Sequence, residues 1–146
     1  MPMLQRAIVV LVAALAGLAL AEGVDFEPGY QNLRNGVKVK LVKEGDGPSP
    51  TEADTVKVHY IGYLPDNSEF ETTMKGTGPS TVQLKSAIKC WQQGIQTMRA
   101  GGKAHFFCPA DTAFGKAGKM NGGTQVVPPN TKVEFEVELL EVIRGK

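Results

Sequence analysis

The chain has 146 residues, 16 basic against 15 acidic side chains, a net charge of +1, two cysteines and two histidines. Without a basic run or a large net charge, this composition excludes a protein built to bind nucleic acid or an anionic membrane. The histidines and cysteines show no short ligand spacing, so we expect no metal site.

The first 21 residues have the composition of a secretory signal sequence. Arg6 gives the start a positive charge, residues 7–21 are uninterrupted apolar or glycine, and residues 19–21 form the small-x-small triplet A-L-A. A helix over the apolar run spans roughly 22 Å, which is shorter than the roughly 30 Å hydrocarbon core of a membrane. Because charge returns at Glu22, we predict cleavage after Ala21, export, and no membrane association afterwards. An uncleaved anchor or a buried core helix is the alternative interpretation.

The mature chain is predicted to hold one domain. Residues 22–36 show no clear period and are expected to form an N-terminal lead, and residues 37–146 are expected to form the domain. Alternation in the order V-K-V-K-L-V predicts a first strand over residues 37–42. The Gly, Pro and Ser content of residues 45–50 predicts a loop after it.

A hairpin is predicted next. Apolar and aromatic residues alternate with polar ones over residues 56–60, which predicts a half-buried strand that ends with Tyr60 on its apolar face. Residues 65–67, P-D-N, are suited to a turn, because proline fixes φ and Asp and Asn hydrogen-bond to their own backbone. The second strand brings Phe70 and Glu71 back towards Tyr60. These side chains predict an apolar pocket with a polar edge, which suits binding of an apolar ligand better than hydrolysis.

Residues 81–84 are predicted as a short strand, and the element after it is predicted as a helix. Its apolar residues recur at spacings of three and four and therefore share one face: Ile88, Trp91, Ile95 and Met98. The two glycines at residues 101–102 are suited to the left-handed conformation that ends a helix.

The remaining chain is predicted as two strands separated by a long segment. Residues 103–108 are predicted as a strand, and residues 109–129 as an irregular segment whose length indicates a functional role. From residue 132 to 139 apolar residues alternate strictly with lysine or glutamate, so one face is core and the other is solvated. We therefore expect the acids of this strand to be solvated rather than catalytic: Glu134, Glu136 and Glu138. The sum is an α+β fold of about five antiparallel strands with one short helix across the apolar face.

Four segments, taken together, carry a resemblance to a known family. They are VHYIGYL with EFETT, IKCWQQGIQTM, GGKAHFFCPADTAFG and VPPNTKVEFEVELLEV, and they cover nearly all of residues 37–142. In this order they resemble the FKBP-type peptidyl-prolyl cis-trans isomerases. The signal sequence and the short lead are similar to those of exported bacterial members. The resemblance implies a strongly twisted antiparallel sheet wrapped around one short helix, with an apolar active-site pocket between them.

The resemblance also implies the residues of the site. Trp91 is expected as the pocket floor, and Glu71 stands where the family places its pocket acid. The catalytic set is then Tyr60, Phe70, Glu71, Ile88, Trp91 and Phe135. The remaining pocket wall is Ala87, Phe114 and Val126 or Val127, the apolar pair before the two prolines.

The implied activity is rotation about Xaa-Pro bonds without a cofactor. The expected partners are proline-containing unfolded or exported proteins and, with weakened affinity, macrolide inhibitors. The dimerising helical extension of some relatives needs many more residues than 22–35 supply, so we expect a monomer. A periplasmic location is expected, with secretion or a secretory lumen as the alternatives.

Several pocket positions depart from the family pattern. Glu71 is one methylene longer than the usual aspartate, and Phe114 lacks the hydroxyl that binds ligand in many members. Ser80 replaces an aromatic wall, and Gly76 replaces an arginine that pairs the acid in some members. Residues 118–126 form a longer, glycine-rich loop. We expect activity to be reduced or altered, and macrolide binding to be weakened more, since one neutral hydrogen bond contributes about 0.5–1.5 kcal/mol.

These departures leave two main interpretations open. An isomerase is favoured by the intact aromatic pocket, whereas a catalytically weak chaperone or protein-binding module is favoured by Glu71, Ser80 and Phe114. Cys90 and Cys108 are predicted either to form one disulfide beside the pocket or to be two buried free thiols. A redox protein is disfavoured, because these cysteines are not in a C-x-x-C motif.

Overall fold

The structure is a computed structural model in which residues 29–76 and 78–145 are described. The predicted signal sequence, its cleavage site and most of the predicted lead lie outside these residues. The described strands are β1 (Tyr30–Asn32), β2 (Lys38–Lys43), β3 (Thr55–Tyr63), β4 (Glu69–Thr72), β5 (Ser80–Gln83), β6 (Lys103–Cys108), β7 (Lys119–Asn121), β8 (Thr124–Val127) and β9 (Val133–Ile143). The described helices are α1 (Lys89–Ile95) and three short 3₁₀ turns, η1 (Arg34–Gly36), η2 (Leu84–Ser86) and η3 (Ala110–Thr112).

Seven strands form the main sheet, in the order β1-β2-β6-β9-β3-β4, with β5 also pairing with β3. Strand β9 pairs antiparallel with β6 on one side and with β3 on the other. The strand with the clearest alternation in the sequence therefore lies at the centre of the sheet. Over residues 133–139 its apolar side chains are buried, and the three glutamates between them are half-buried on the opposite face. There Glu134 contacts His105 at 3.0 Å, and Glu136 lies 3.9 Å from Lys103.

Helix α1 packs on the apolar face of the sheet through a close backbone approach. A Cβ atom placed on Gly94 would lie 2.9 Å from the ring of Phe106 on β6, so this position needs glycine. Ile95 and Met98 are fully buried against the same face. The predicted helix ends earlier than expected, because Met98 N–H donates to the Ile95 carbonyl in a tighter turn. Gly101 then has a φ of 94°, in the left-handed region predicted for the cap.

The prediction of an irregular segment over residues 109–129 is wrong in its second half. There β7 and β8 form a two-stranded antiparallel hairpin. Its turn uses Gly122 and Gly123, which have φ values of 59° and 92°, as expected for a two-residue hairpin turn. Most of the hairpin residues are exposed, so the alternation that marks a half-buried strand is absent from this part of the sequence.

A buried carboxylate ties the chain after β9 to the start of β3. Asp54 is 4% exposed, and it accepts hydrogen bonds of 2.8 Å from the Thr51 N–H, the Gly145 N–H and the Arg144 guanidinium. The two backbone hydrogen bonds and then Arg144 lower the pKa of Asp54 to about 2. We call this group the Asp54 clamp.

No helix among the described residues has the length and apolar composition needed to cross a membrane.

Candidate active site

Five aromatic rings from separate parts of the chain meet between α1 and the sheet. Ring centroids are 4.8 Å apart for Tyr60 and Trp91, 5.3 Å for Trp91 and Phe135, and 5.7 Å for Phe70 and Phe135. Phe114 extends the cluster, with its ring 5.9 Å from that of Phe70. Each of these pairs is edge-to-face, the arrangement that the ring quadrupoles favour. The structure thus brings together aromatic residues that the sequence placed in one pocket.

The depth of each ring decides what it can contact. Phe135 is 1% exposed, so it supports the pocket from beneath rather than forming its surface. Trp91 and Phe70 are 6% and 9% exposed, and Tyr60 and Phe114 are half-buried. The indole N–H of Trp91 has no acceptor among the described residues. Exposed ring surface therefore remains on Trp91, Phe70, Tyr60 and Phe114, and Trp91 is the most deeply buried of these four.

Gly62 makes room for two of these rings, and the sequence interpretation missed it. It lies on β3, directly opposite Glu71 of β4 and Phe135 of β9. A Cβ atom placed there would lie 2.5 Å from the Phe70 ring and 3.1 Å from the Phe135 ring. A glycine that interrupts strand alternation is the sequence signal of such an approach.

The polar edge of the pocket is formed by Tyr60 and Glu71. Burial raises the pKa of Tyr60, and the negative charge and hydrogen-bonding of the Glu71 side chain raise it further. On its other side, the Glu71 carboxylate lies 3.8 Å from the ammonium of Lys119 on β7. That ammonium is 5.3 Å from the Phe114 ring centroid.

The start of α1 supplies backbone donors beside the rings. Ile88 is the N-cap residue, with extended backbone angles and no side-chain cap, and its side chain is half-buried like that of Ala87. The first N–H groups of a helix have no partner within the helix, and the Ile88 N–H is one of these groups. The Gln92 side-chain amide donates a hydrogen bond of 2.9 Å to the Ala87 carbonyl, which fixes the backbone just before the helix.

Comparison with known proteins gives the family. A sequence model of the FKBP-type peptidyl-prolyl cis-trans isomerases matches residues 47–140. The chain belongs to this family. It is 37% identical to FK506-binding protein 1A of Emericella nidulans, over 73% of this chain and 98% of that protein. It is 34% identical to the isomerase FkpA of Escherichia coli K12, over 80% of this chain, and it spans 41% of FkpA.

Solved FKBP-type structures share the architecture. A peptidyl-prolyl cis-trans isomerase from Pseudomonas syringae superposes with a TM-score of 0.72 at 31% identity, covering 91% of this chain and 95% of that one. FkpA from Escherichia coli superposes with a TM-score of 0.74 at 33% identity, covering 82% of this chain and 54% of FkpA. The predicted FKBP-like α+β fold is thereby confirmed, with seven strands in the main sheet instead of about five.

In this FKBP domain the two valines before the prolines have different surroundings. Val127 is fully buried and pairs with Lys119 in the β7–β8 hairpin, whereas Val126 is half-buried and packs at the edge of the core. Val126 is therefore the one of the pair with surface to offer a ligand.

No three His, Cys, Asp or Glu side chains of the described residues gather in a way that would hold a metal ion.

A disulfide joins the start of α1 to the end of β6. It links Cys90 and Cys108, whose Cα atoms are 5.6 Å apart, and both side chains are buried. Cys90 directly precedes Trp91, so the bond fixes the helix turn that carries this indole. For a loop closed over 18 residues, a chain-entropy argument gives a stabilisation of about 3 kcal/mol.

Proposed function

We propose that this FKBP domain accelerates cis-trans rotation of Xaa-Pro bonds in exported, incompletely folded proteins. The observation that carries the proposal is the aromatic pocket over Trp91, which is bordered by the Tyr60 hydroxyl and the Ile88 N–H. Family membership supports the same reaction. The pocket contains apolar surface and hydrogen-bond donors, and rotation about a peptide bond requires no cofactor.

The chemistry follows from amide resonance. Rotation faces a barrier of roughly 18–20 kcal/mol, because the C–N bond has partial double-bond character. At the twisted transition state this conjugation is lost, and the carbonyl becomes less polar. A pocket poor in water favours that form over the planar amide, which water solvates well. Catalysis is then tighter binding of the twisted amide than of the planar one.

Each polar group has a role that its position supports. The proline ring lies on Trp91, and the Ile88 N–H donates to a substrate carbonyl next to the proline. The Tyr60 hydroxyl can donate one hydrogen bond. In the free pocket it donates to the Glu71 carboxylate, so a substrate carbonyl competes with Glu71 for this hydrogen bond. Glu71 thereby keeps the hydroxyl oriented until substrate arrives.

The location follows from two features of the chain. The N-terminal sequence is typical of a secretory signal, and a disulfide such as Cys90–Cys108 persists in oxidising compartments. We infer export, with the bacterial periplasm as the site of action. The clients are then proline-containing proteins that fold after export.

A binding module is the second candidate, and particular side chains favour it. Phe114 has no hydroxyl to bind a ligand, and Ser80 leaves one wall of the pocket open. Met74 and Met120 are 58% and 56% exposed, and methionine surfaces adapt to varied apolar partners. Such a domain would protect unfolded proteins from aggregation without speeding isomerisation.

Cis-to-trans isomerisation of short Xaa-Pro peptides separates the two candidates. The wild-type protein is compared with Trp91→Ala and with Lys116→Ala, a change at an exposed lysine in the segment after Phe114. Acceleration that is lost in Trp91→Ala and kept in Lys116→Ala supports the isomerase. Circular dichroism shows whether each variant is folded. If folded wild-type protein gives no acceleration but suppresses aggregation of a denatured client, the binding module is the function.

A further inference from the structure

Lys119 contacts both sides of the pocket opening. Its ammonium lies 3.8 Å from the Glu71 carboxylate, which belongs to β4, and 5.3 Å from the Phe114 ring centroid. Its backbone pairs with Val127 in the β7–β8 hairpin. The hairpin that carries Val126 is thus linked through one side chain to the strand that carries the pocket acid.

The surroundings of this ion pair differ from those of an ordinary surface pair. Lys119 and Glu71 are 27% and 31% exposed, whereas Lys75 and Glu69, a pair at 3.7 Å, are 79% and 40% exposed. The Phe114 ring covers part of the Lys119 ammonium, and a cation over a ring face gains further attraction. The Lys119 side chain is therefore more restricted than a lysine on the open surface.

We propose that Lys119 is a positioning residue of the isomerase site, which rests on the proposed function. Lys119 holds the Glu71 carboxylate beside the Tyr60 hydroxyl at the pocket edge. A glutamate side chain has considerable rotamer freedom. A half-exposed carboxylate that turns towards water loses less free energy when it has one partner than when it has two. The second partner, the ammonium, removes that freedom and fixes the order Lys119–Glu71–Tyr60 along the pocket edge.

The effect of Lys119 must be small and electrostatic, because half-exposed ion pairs contribute modestly. Pairs of this kind contribute up to about fivefold in an equilibrium or rate, and salt weakens them. Lys119→Met keeps the apolar stem and removes the charge. We expect it to lower kcat/KM about three- to fivefold without changing the thermal midpoint. Lys119→Arg keeps the charge and should stay within about twofold of wild type.

The control and the salt dependence separate positioning from general charge. Lys116→Met removes an exposed lysine of the same segment and should leave kcat/KM unchanged. Raising the NaCl concentration from about 0.05 M to about 0.5 M should reduce wild-type kcat/KM towards that of Lys119→Met, because the Debye length shortens to a few ångströms. The activity of Lys119→Met itself should change little.

Coupling with the acid gives the decisive measurement. In a Glu71→Gln background, Lys119→Met should cause no further loss, because the two residues act through one interaction. Equal kcat/KM for wild type and Lys119→Met at low salt, or fully additive losses in the double variant, would overturn the proposal.

A spectroscopic reading keeps this test independent of the proposed activity. The chain has one tryptophan, Trp91, and its ring is 4.8 Å from that of Tyr60. Its emission should shift in Lys119→Met and should not shift in Lys119→Arg or Lys116→Met. If wild-type protein proves inactive, the proposed function fails by itself. An unshifted Lys119→Met spectrum would then overturn the positioning role as well.

Discussion

Two carboxylates in this FKBP domain are both paired with a cation, yet they differ in what surrounds them. Asp54 is buried, and its oxygens accept two backbone N–H groups as well as the Arg144 guanidinium. Glu71 is half-exposed and shared between the Lys119 ammonium and the Tyr60 hydroxyl. The partners of Asp54 are mostly backbone and cannot leave without local unfolding. Those of Glu71 are side chains that can exchange with a ligand.

The difference shows how one type of group serves stability in one place and chemistry in another. A fully satisfied buried carboxylate holds one geometry, which suits a clamp between distant parts of the chain. A partly satisfied one at a pocket edge keeps polar groups oriented and still lets them rearrange. We therefore expect changes at Asp54 to alter unfolding and changes at Glu71 to alter catalysis.

The largest expected effect is that of Asp54→Asn. The asparagine amide would place its own N–H groups against backbone N–H donors. It would also remove the negative charge that pairs with Arg144. The thermal midpoint should fall several times further than in any variant of Glu71, while kcat/KM of the folded fraction stays near wild type. Calorimetry and the peptide assay together test this, and a variant with wild-type stability would refute the structural role of the clamp.

The pH dependence of stability sharpens the same contrast. The backbone hydrogen bonds of Thr51 and Gly145, with Arg144, lower the folded pKa of Asp54 to about 2, below the roughly 3.9 of an unfolded aspartate. The contribution of Asp54 is therefore complete above about pH 4 and is lost as the pH falls through about 2. Asp54→Asn should flatten the fall in stability at low pH. Glu71→Gln should leave the part of this fall that Asp54 causes unchanged.

Gly62→Ala should affect stability and catalysis together, because its site lies at the base of the pocket. The added methyl group must displace the Phe70 ring, and overpacking of this kind costs about 1–3 kcal/mol. We expect both the free energy of unfolding and kcat/KM to fall. Gly76→Ala is the matched control, because a Cβ there meets nothing within 4 Å. Equal stabilities of the two variants would contradict the packing argument.

Glu71→Gln should show the reverse of the Asp54 pattern. The amide keeps the size of the side chain and can still accept the Tyr60 hydroxyl, but the charge is gone. We expect kcat/KM to fall about two- to fivefold, since the weakened hydrogen bond corresponds to roughly 0.5–1 kcal/mol. The free energy of unfolding should change by less than about 1 kcal/mol. Chemical denaturation beside the isomerase assay measures both, and a stability loss matching that of Asp54→Asn would erase the distinction.

The last expected effect is a gain. Phe114→Tyr restores a hydroxyl at the pocket opening, where a neutral hydrogen bond contributes about 0.5–1.5 kcal/mol. A macrolide inhibitor of the FKBP family should bind up to about tenfold more tightly, with a smaller change in peptide isomerisation. Competition in the peptide assay measures the affinity. Unchanged binding would show that the ring of Phe114 does not face the ligand in the expected way.

Much of the fold could be predicted because its main elements carry local signals. Strict alternation predicted β3 and β9, and the three-and-four spacing of Ile88, Trp91 and Ile95 predicted the helix. These patterns reflect a burial that is decided within one element. The resemblance to the family then indicated the aromatic pocket residues that the structure brings together.

The parts that the sequence did not reveal depend on distant partners. Lys119 meets Glu71 across the pocket, and Arg144 meets Asp54 across 90 residues of sequence, so neither pair leaves a local pattern. Gly62 is required by two rings on other strands. The β7–β8 hairpin was missed because its residues are exposed, although its paired glycines are a turn signal.

The position of β9 has a consequence for the order in which this domain can be assembled. It is the last strand of the sheet in sequence, yet it lies at the centre, between β6 and β3. A ribosome or a translocation channel delivers the chain from its N-terminus, so β3 and β6 emerge without the neighbour that they share. The sheet can close only after residue 143 has been released, and pairing over such separations is slow. A protein proposed to assist the folding of others must therefore complete its own folding after synthesis.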